Sequence, residues 1–388
     1  MVHRRLVRPV TELTPAATNV SRDMWSADEH ELQLLPVRGD EVADGGRAPA
    51  CLAFEALSEP EPGDTWQRSF HAMWPAYRGW YLKEGDDARP DLATCEAMLA
   101  RWMPELVPTF ERLVALTGAD PLAARFLSMY SPPGFVVGCS QAAFTGDGGP
   151  VLVRNYDYPA SRAEGIILST AWTGRRVIGM SDCLWGLLDG VNDAGLAASL
   201  TFGGRPVVGE GFGIPLVMRY VLEVCETVSE ACRVFARIPV HAAQNVTVLD
   251  RSGDFATIRL SPDRDPEVLT VPVATNHQHQ GDWPAYEAAV STHERERRLL
   301  ELLRASQMTR ERLVAGFLAA PLYRIAGDRG GTLYTVVYDP VAQSAEYLWP
   351  EARIAESLQA FTHASHVQCY EDAEPAAETT PPLVVSDT

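Results

Sequence analysis

The sequence changes texture at Cys139, and that change constrains the fold more than any other feature. From there SQAAFT and PVLVRNYDY flank the turn GDGG in a hairpin pattern. GIILSTAW, RRVIGM, LWGLLDGVN and GLAASLTF follow as short apolar runs punctuated by Gly, Asp-Gly or Asn-Asp. Pro215 to Cys225 reads as a helix, and the capping-box spacing Thr227-Val-Ser-Glu230 opens a second. NVTVLD, FATIRLS and VLTVPVATN return to strand, STHERERRLLELLRA and TRERLVAGFLA to helix, and TLYTVVYDP and SAEYLWP to strand again. Strands in blocks alternating with helices in blocks predict α+β layers rather than regular βαβ winding.

Ahead of Cys139 the chain reads differently. The first sixty or so residues mix charge, proline and glycine with little periodicity, so the segment to about residue 74 is expected to be irregular. From Pro90 a helical stripe of Leu92, Cys95, Met98, Leu99 and Trp102 runs to breaks at Pro104 and Pro108 and resumes before Gly118. Asp120-Pro121 reads as an N-cap and first helical position. The resulting division is 1–138, irregular and then mainly helical; 139–352, the layered core; and 353–388, a C-terminal end whose tail EPAAETTPPLVVSDT has a disordered composition.

A chain of 388 residues can bury one large core plus an accessory part. The formal charge of −18 argues against a general nucleic-acid or anionic-membrane binder, since phosphate binding needs basic clusters. No run is long enough to span a membrane and no secretory signal is evident, so the expected place is the cytoplasm. Seven cysteines without regular spacing or CxxC describe neither a disulfide framework nor a zinc site, which fits a reducing compartment. No motif calls for a metal or a cofactor: TGDGG lacks the P-loop lysine and the GxGxxG spacing.

By residue chemistry alone, Gly138-Cys139-Ser140 reads as core as readily as catalyst. A catalytic cysteine needs a source of thiolate, and no histidine stands near it in the sequence. If the Gly138–Cys139 bond is cut, Cys139 gains a free α-amine, whose ordinary pKa near 8 suits a general base for its own thiol.

At these residues the chain resembles N-terminal-nucleophile (Ntn) hydrolases of the choloylglycine hydrolase and penicillin acyltransferase type, on the acyl-CoA:6-aminopenicillanic acid acyltransferase branch known as the C45 peptidase family. The matching pieces, in order, are GCS with Cys139, VRNYD with Arg154 and Asp157, DGVNDAGLAASLTF from Asp189, ATNH with Asn276, THERERRLLELL with Arg295, and GTLYTVVYDP. The resemblance implies a four-layer αββα sandwich with Cys139 opening a central strand, and a helical propeptide or α-chain before it. It also implies self-cleavage at Gly138–Cys139, with the two chains staying associated. Gly138, without a Cβ, tolerates the strain of that attack.

By the same correspondence Asp157 holds the α-amine of Cys139, Arg154 stabilises thiolate, Asn276 donates to the oxyanion and Arg295 completes the site. Arg298, one helical turn on, is the alternative register for Arg295. Strict alternation puts Arg154 and Asp157 on opposite faces, so both turning inward requires a bulge or the strand end. Asn192 reads as a turn residue. Thr201 stands where relatives of the bile-salt branch carry an Asn or Tyr of the oxyanion hole, so its hydroxyl or a backbone amide takes that role. The implied activity is an amidase or acyltransferase on a linear non-peptide amide, working through an acyl-Cys139 thioester on a small-molecule substrate, with acyl-CoA as co-substrate in the acyltransferase case. A homo-oligomer is compatible with this reading. The alternatives are a catalytically silent relative and a single-chain Cys-His hydrolase without processing.

Overall fold

Two stacked sheets form the middle of the computed structural model, which describes residues 50–325 and 331–370. In chain order the elements are β1 (Ala50–Ser58), α1 (Asp64–Tyr81), α2 (Leu92–Trp102), α3 (Val107–Leu116), α4 (Pro121–Leu127), β2 (Gly138–Gly146) and β3 (Gly149–Tyr158). There follow β4 (Ile166–Thr170), β5 (Val177–Asp182), β6 (Gly186–Asn192), β7 (Leu196–Phe202), α5 (Ile214–Val224), α6 (Val228–Arg237), β8 (Gln244–Asp250), β9 (Phe255–Ser261), β10 (Arg264–Leu269) and β11 (Val273–Ala274). The chain continues through α7 (Pro284–Ala289), α8 (Thr292–Arg304), α9 (Arg310–Phe317), β12 (Gly331–Asp339), β13 (Ser344–Trp349), β14 (Ala352–Ser357) and β15 (Ser365–Tyr370).

A nine-stranded sheet in the order β10-β9-β8-β7-β6-β5-β4-β1-β15 faces a six-stranded sheet in the order β11-β2-β3-β12-β13-β14. Helices α5 and α6 cover the outer face of the first, and α8 and α9 that of the second, which makes the four-layer αββα sandwich the sequence implies. Strands β6, β7 and β8 are buried at every position, polar residues included, because a helix lies on one side and the second sheet on the other. On the far side Val151, Val153, Leu299, Leu302, Leu313 and Phe317 join the six-stranded sheet to α8 and α9. Between the sheets the Gln141 amide bridges Ser199 and Thr247.

The two helix starts read from capping signals are capped as expected. The Asp120 carboxylate accepts from Leu122 N ahead of α4, and the Thr227 hydroxyl accepts from Glu230 N ahead of α6. Asn192 is the turn residue expected: its Oδ1 accepts from Ala194 N and Leu196 N, and its amide donates to Leu222 O and Cys225 O at the end of α5. Among the described residues no helix is long and apolar enough to cross a membrane.

Three expectations are corrected. The segment to residue 74 is not irregular where it is described: β1 alternates, burying Leu52, Phe54 and Ala56, and α1 starts at Asp64. Pro60, Pro62 and Gly63, which suggest an irregular run, only mark the turn between these two elements. The layered core is likewise not confined to 139–352, since β1 lies inside the nine-stranded sheet, parallel to β4 and antiparallel to β15 from the C-terminal end. Finally, the cysteines are not all free. Cys51 and Cys369 face each other across β1 and β15 and form a disulfide 318 residues apart in sequence, a pairing only the strand register brings about. Residues 1–49 and the tail EPAAETTPPLVVSDT lie outside the described residues.

Candidate active site

Cys139 is the second residue of β2, fully buried, and its partner across the ladder is Tyr156. Directly paired residues share a face of the sheet. Cys139, Gln141, Arg154 and Tyr156 therefore point between the sheets, while Gly138 and Asp157 point toward α8. The β2–β3 ladder runs unbroken from Gly138–Asp157 to Gly146–Gly149, so no bulge in β3 turns Arg154 and Asp157 the same way. The irregularity lies on the neighbouring strand, between Thr332 and Tyr334 of β12.

On the inter-sheet side the Arg154 Nη2 donates to Cys139 Sγ at 3.2 Å. Arg154 is itself completely buried and ion-paired with the buried Asp189 of β6. Its Nη1 also donates to Leu188 O and Tyr334 OH. Asp189 in turn accepts from Tyr334 OH at 2.7 Å and Tyr338 OH at 2.5 Å, so the guanidinium is fixed by a carboxylate whose own lone pairs are used. Burial pushes the Cys139 thiol up from its ordinary value, and the Arg154 charge pulls against that shift.

On the helix side Arg295 of α8, fully buried, is the hub. Its Nη1 donates to Cys139 O at 2.7 Å and to Asp157 Oδ2 at 3.2 Å, and its Nη2 donates to Asn276 Oδ1 at 2.7 Å. Asp157 Oδ1 accepts from the Thr332 hydroxyl at 2.7 Å. Asn276 Oδ1 also accepts from Cys139 N at 2.8 Å. In the continuous chain the group holding the nitrogen of Cys139 is thus Asn276, whereas Asp157 aligns Arg295. A Cβ on Gly138 would stand 2.9 Å from the Cβ of Asp157, which is why this position has none.

Arg298, the alternative register, points outward to Glu301 and touches none of these groups. The structure therefore brings Cys139, Arg154, Asp157, Asn276 and Arg295 together and leaves Arg298 out. Thr201 is buried beside them, but its one proton goes to Thr275 O at 2.9 Å and its oxygen accepts from Asn245 Nδ2. In this arrangement its hydroxyl has no proton for an oxyanion, which removes the first of the two expected alternatives and leaves the backbone amide. It braces the strand that leads to Asn276 instead.

Four residues of the site carry no role in the sequence reading: Asp189, Thr332, Tyr334 and Tyr286. Only contacts between distant segments assign them. Tyr286 is the most telling, because its hydroxyl donates to Val137 O at 2.8 Å, the same carbonyl that accepts from Asn276 Nδ2 at 3.3 Å. Asn276 Nδ2 also donates to Phe202 O. Two side-chain donors thus meet one residue ahead of the Gly138–Cys139 junction.

Residues 144–353, more than half of the chain, match the family described as acyl-coenzyme A:6-aminopenicillanic acid acyl-transferase. Among solved structures the chain is similar to penicillin V acylase from Agrobacterium tumefaciens, at 17% identity and TM-score 0.42 over 58% of this chain and 90% of that one. It is also similar to the Caenorhabditis elegans ortholog of N-acylethanolamine-hydrolyzing acid amidase, at 17% identity and TM-score 0.42 over 59% of this chain and 100% of that one. For a mutant of conjugated bile acid hydrolase from Clostridium perfringens the values are 11% and 0.38 over 62% and 100%. No curated protein matches the chain.

Proposed function

Because the chain belongs to the acyl-coenzyme A:6-aminopenicillanic acid acyl-transferase family, we propose that it is an Ntn-type enzyme of the C45 kind, in which Cys139 first cleaves the chain ahead of itself and then breaks or forms a linear non-peptide amide through a thioester. The observation that carries this reading is the placement of one cysteine between two buried arginines: Arg154 on its sulfur and Arg295 on its carbonyl, with Asn276 on its nitrogen. A core cysteine needs none of these.

In the processing step Cys139 Sγ adds to the Gly138 carbonyl carbon. The C–N bond breaks, the nitrogen takes up the thiol proton, and Gly138 is left as a thioester on Sγ. Water then releases the Gly138 carboxylate and restores the thiol. The freed α-amine keeps the contact to Asn276 Oδ1 and becomes the base that takes the thiol proton in turnover. Thiolate, supported by Arg154, attacks the substrate carbonyl; the leaving amine carries away the proton; and the acyl-Cys139 thioester passes to water or to an acceptor amine. Running as an acyltransferase, the same thioester would be loaded from acyl-CoA with release of the CoA thiol.

Cleavage also changes the oxyanion donors. Once the Met1–Gly138 end withdraws, Val137 O leaves Asn276 Nδ2 and the Tyr286 hydroxyl, and both protons become available to a substrate oxyanion. The test is the intact mass of the purified protein, denatured and reduced. We expect Met1–Gly138 and Cys139–Thr388, with Cys139 as the new N-terminus, and a single uncut chain from Cys139→Ala. An active enzyme of full-length mass overturns the reading.

A further inference from the structure

Beside the site, but not part of it, stand His277, His293 and Glu296, each offering a ligand atom within 4.8 Å of the others. His277 follows Asn276 directly, and the other two flank Arg295 on the first turn of α8. Hydrogen-bond bookkeeping fixes the tautomer of His277. The Thr275 hydroxyl donates to Thr292 O at 3.1 Å, and the Thr292 hydroxyl donates to Thr275 Oγ1 at 2.9 Å, so both protons are committed. His277 Nδ1, 2.9 Å from Thr292 Oγ1 and 3.2 Å from Thr275 Oγ1, must then be the donor.

The other nitrogen of a neutral His277 is consequently a lone pair. It faces Glu296 Oε2 at 3.4 Å, acceptor against acceptor. Something positive must lie between them, a proton on the ring or a cation. A second imidazole stands beside that gap: the ring of His293 lies with its centroid 4.3 Å from that of His277. His293 Nε2 lies 2.8 Å from Glu287 Oε2, a carboxylate held by Gly281 N and Trp283 N, so that nitrogen is a donor and Nδ1 is left as a lone pair. A histidine whose far nitrogen donates to a carboxylate or hydroxyl is the usual supporting arrangement for a metal ligand.

The spacing agrees. In a tetrahedral site with bonds of about 2.0–2.1 Å, ligand atoms stand roughly 3.4 Å apart, and His277 Nε2 to Glu296 Oε2 is 3.4 Å. We infer that His277, His293 and Glu296 form a binding site for a zinc-type divalent ion, with water completing the coordination. The ion would tie the segment carrying Asn276 to the helix carrying Arg295, and so clamp two site residues without touching the reacting atoms.

The experiment is independent of turnover and of cleavage. Protein stripped of metal and freed of chelator is titrated with Zn²⁺ against a chromophoric competitor, and thermal unfolding is followed with and without the ion. One equivalent should bind and raise the melting temperature. Glu296→Gln, nearly isosteric and half-exposed, and His293→Ala should each weaken affinity about 10-fold or more and lose the thermal shift, while Cys139→Ala should bind as tightly as the parent. Absence of uptake, unchanged affinity in Glu296→Gln, or loss of binding in Cys139→Ala, which would place the ion on the thiol, each overturns the site.

Discussion

At the scale of single residues the continuous chain keeps two of the site's donors occupied on one carbonyl, Val137 O, which the proposed cut would take away. Asn276 Nδ2 gives its protons to Val137 O and Phe202 O, and the Tyr286 hydroxyl also goes to Val137 O. Removing one oxyanion donor costs roughly 10²–10³ in kcat, so Asn276→Ala should fall by that factor with little change in KM. The proposed self-cleavage would pass through the same kind of tetrahedral intermediate. The measurement therefore uses a chain that begins at Cys139, co-expressed with residues 1–138; near-normal kcat there would make Asn276 a turn residue only. Tyr286→Phe removes a single neutral donor worth about 1 kcal/mol, or roughly fivefold in kcat. If that variant turns over like the parent, Tyr286 serves only to hold the uncut junction. Gly138→Ala acts before either, because its Cβ would meet Asp157 at 2.9 Å. It should slow processing in a time course of intact mass, and unaltered processing would show that the backbone yields there without cost.

At the scale of elements, local pattern and tertiary arrangement separate cleanly. The hairpin of β2 and β3, the caps at Asp120 and Thr227, and helices α8 and α9 were legible because turn chemistry and periodicity are local. So was the grouping of Cys139, Arg154, Asp157, Asn276 and Arg295, through the order of the motifs rather than the chemistry of any one. Strand β1 was not, because its pairing with β4 and β15 joins segments more than a hundred residues apart. A bulge or the strand end was expected to turn Arg154 and Asp157 the same way; β3 has no bulge, and the irregularity lies on its neighbour β12, since register between β3 and β12 is settled by packing on both faces. Another unread feature is the corner after β5. There Tyr77 of α1 donates to Glu164 Oε1, which also accepts from Leu184 N, and Cys183 and Leu184 adopt left-handed backbone at φ 55° and 72°. Burial, with the Glu164 charge beside it, pushes the Asp182 carboxyl up to about 8. The unfolded chain releases that proton near the ordinary 3.8, so between there and about pH 8 the folded state holds the extra proton and stability falls as pH rises. Asp182→Asn should flatten the decline of melting temperature between pH 5 and pH 8; an unchanged slope would assign the decline to other groups.

At the scale of the whole molecule, the proposed cut raises the question of what keeps the halves together. It falls just ahead of Cys139, yet the segment before it is not a detachable cap: β1 is an interior strand of the nine-stranded sheet, paired with β15 over Ala50–Glu55 and with β4 over Glu55–Ser58. Helix α1 adds the Trp66 indole donating to Leu184 O and Tyr77 bonded to Glu164. Departure of Met1–Gly138 would strip β15 of its partner, bare the edge of β4 and expose Leu52, Phe54 and Ala56, so the processed chains should co-elute as one species under native conditions. The disulfide would make that link covalent, because Cys51 lies before the proposed cut and Cys369 after it. The reducing compartment suggested by the cysteine spacing would leave that bond open, whereas an oxidising one closes it. Protein purified without reductant should therefore run after cleavage as one species of full mass on a denaturing gel, and separate into two on adding reductant. Cys51→Ser should give two bands without reductant while the native complex still elutes as one. Two bands from unreduced parent protein would show that Cys51 and Cys369 are thiols in the cell that made it; two peaks on native elution would show that β1 does not hold the halves.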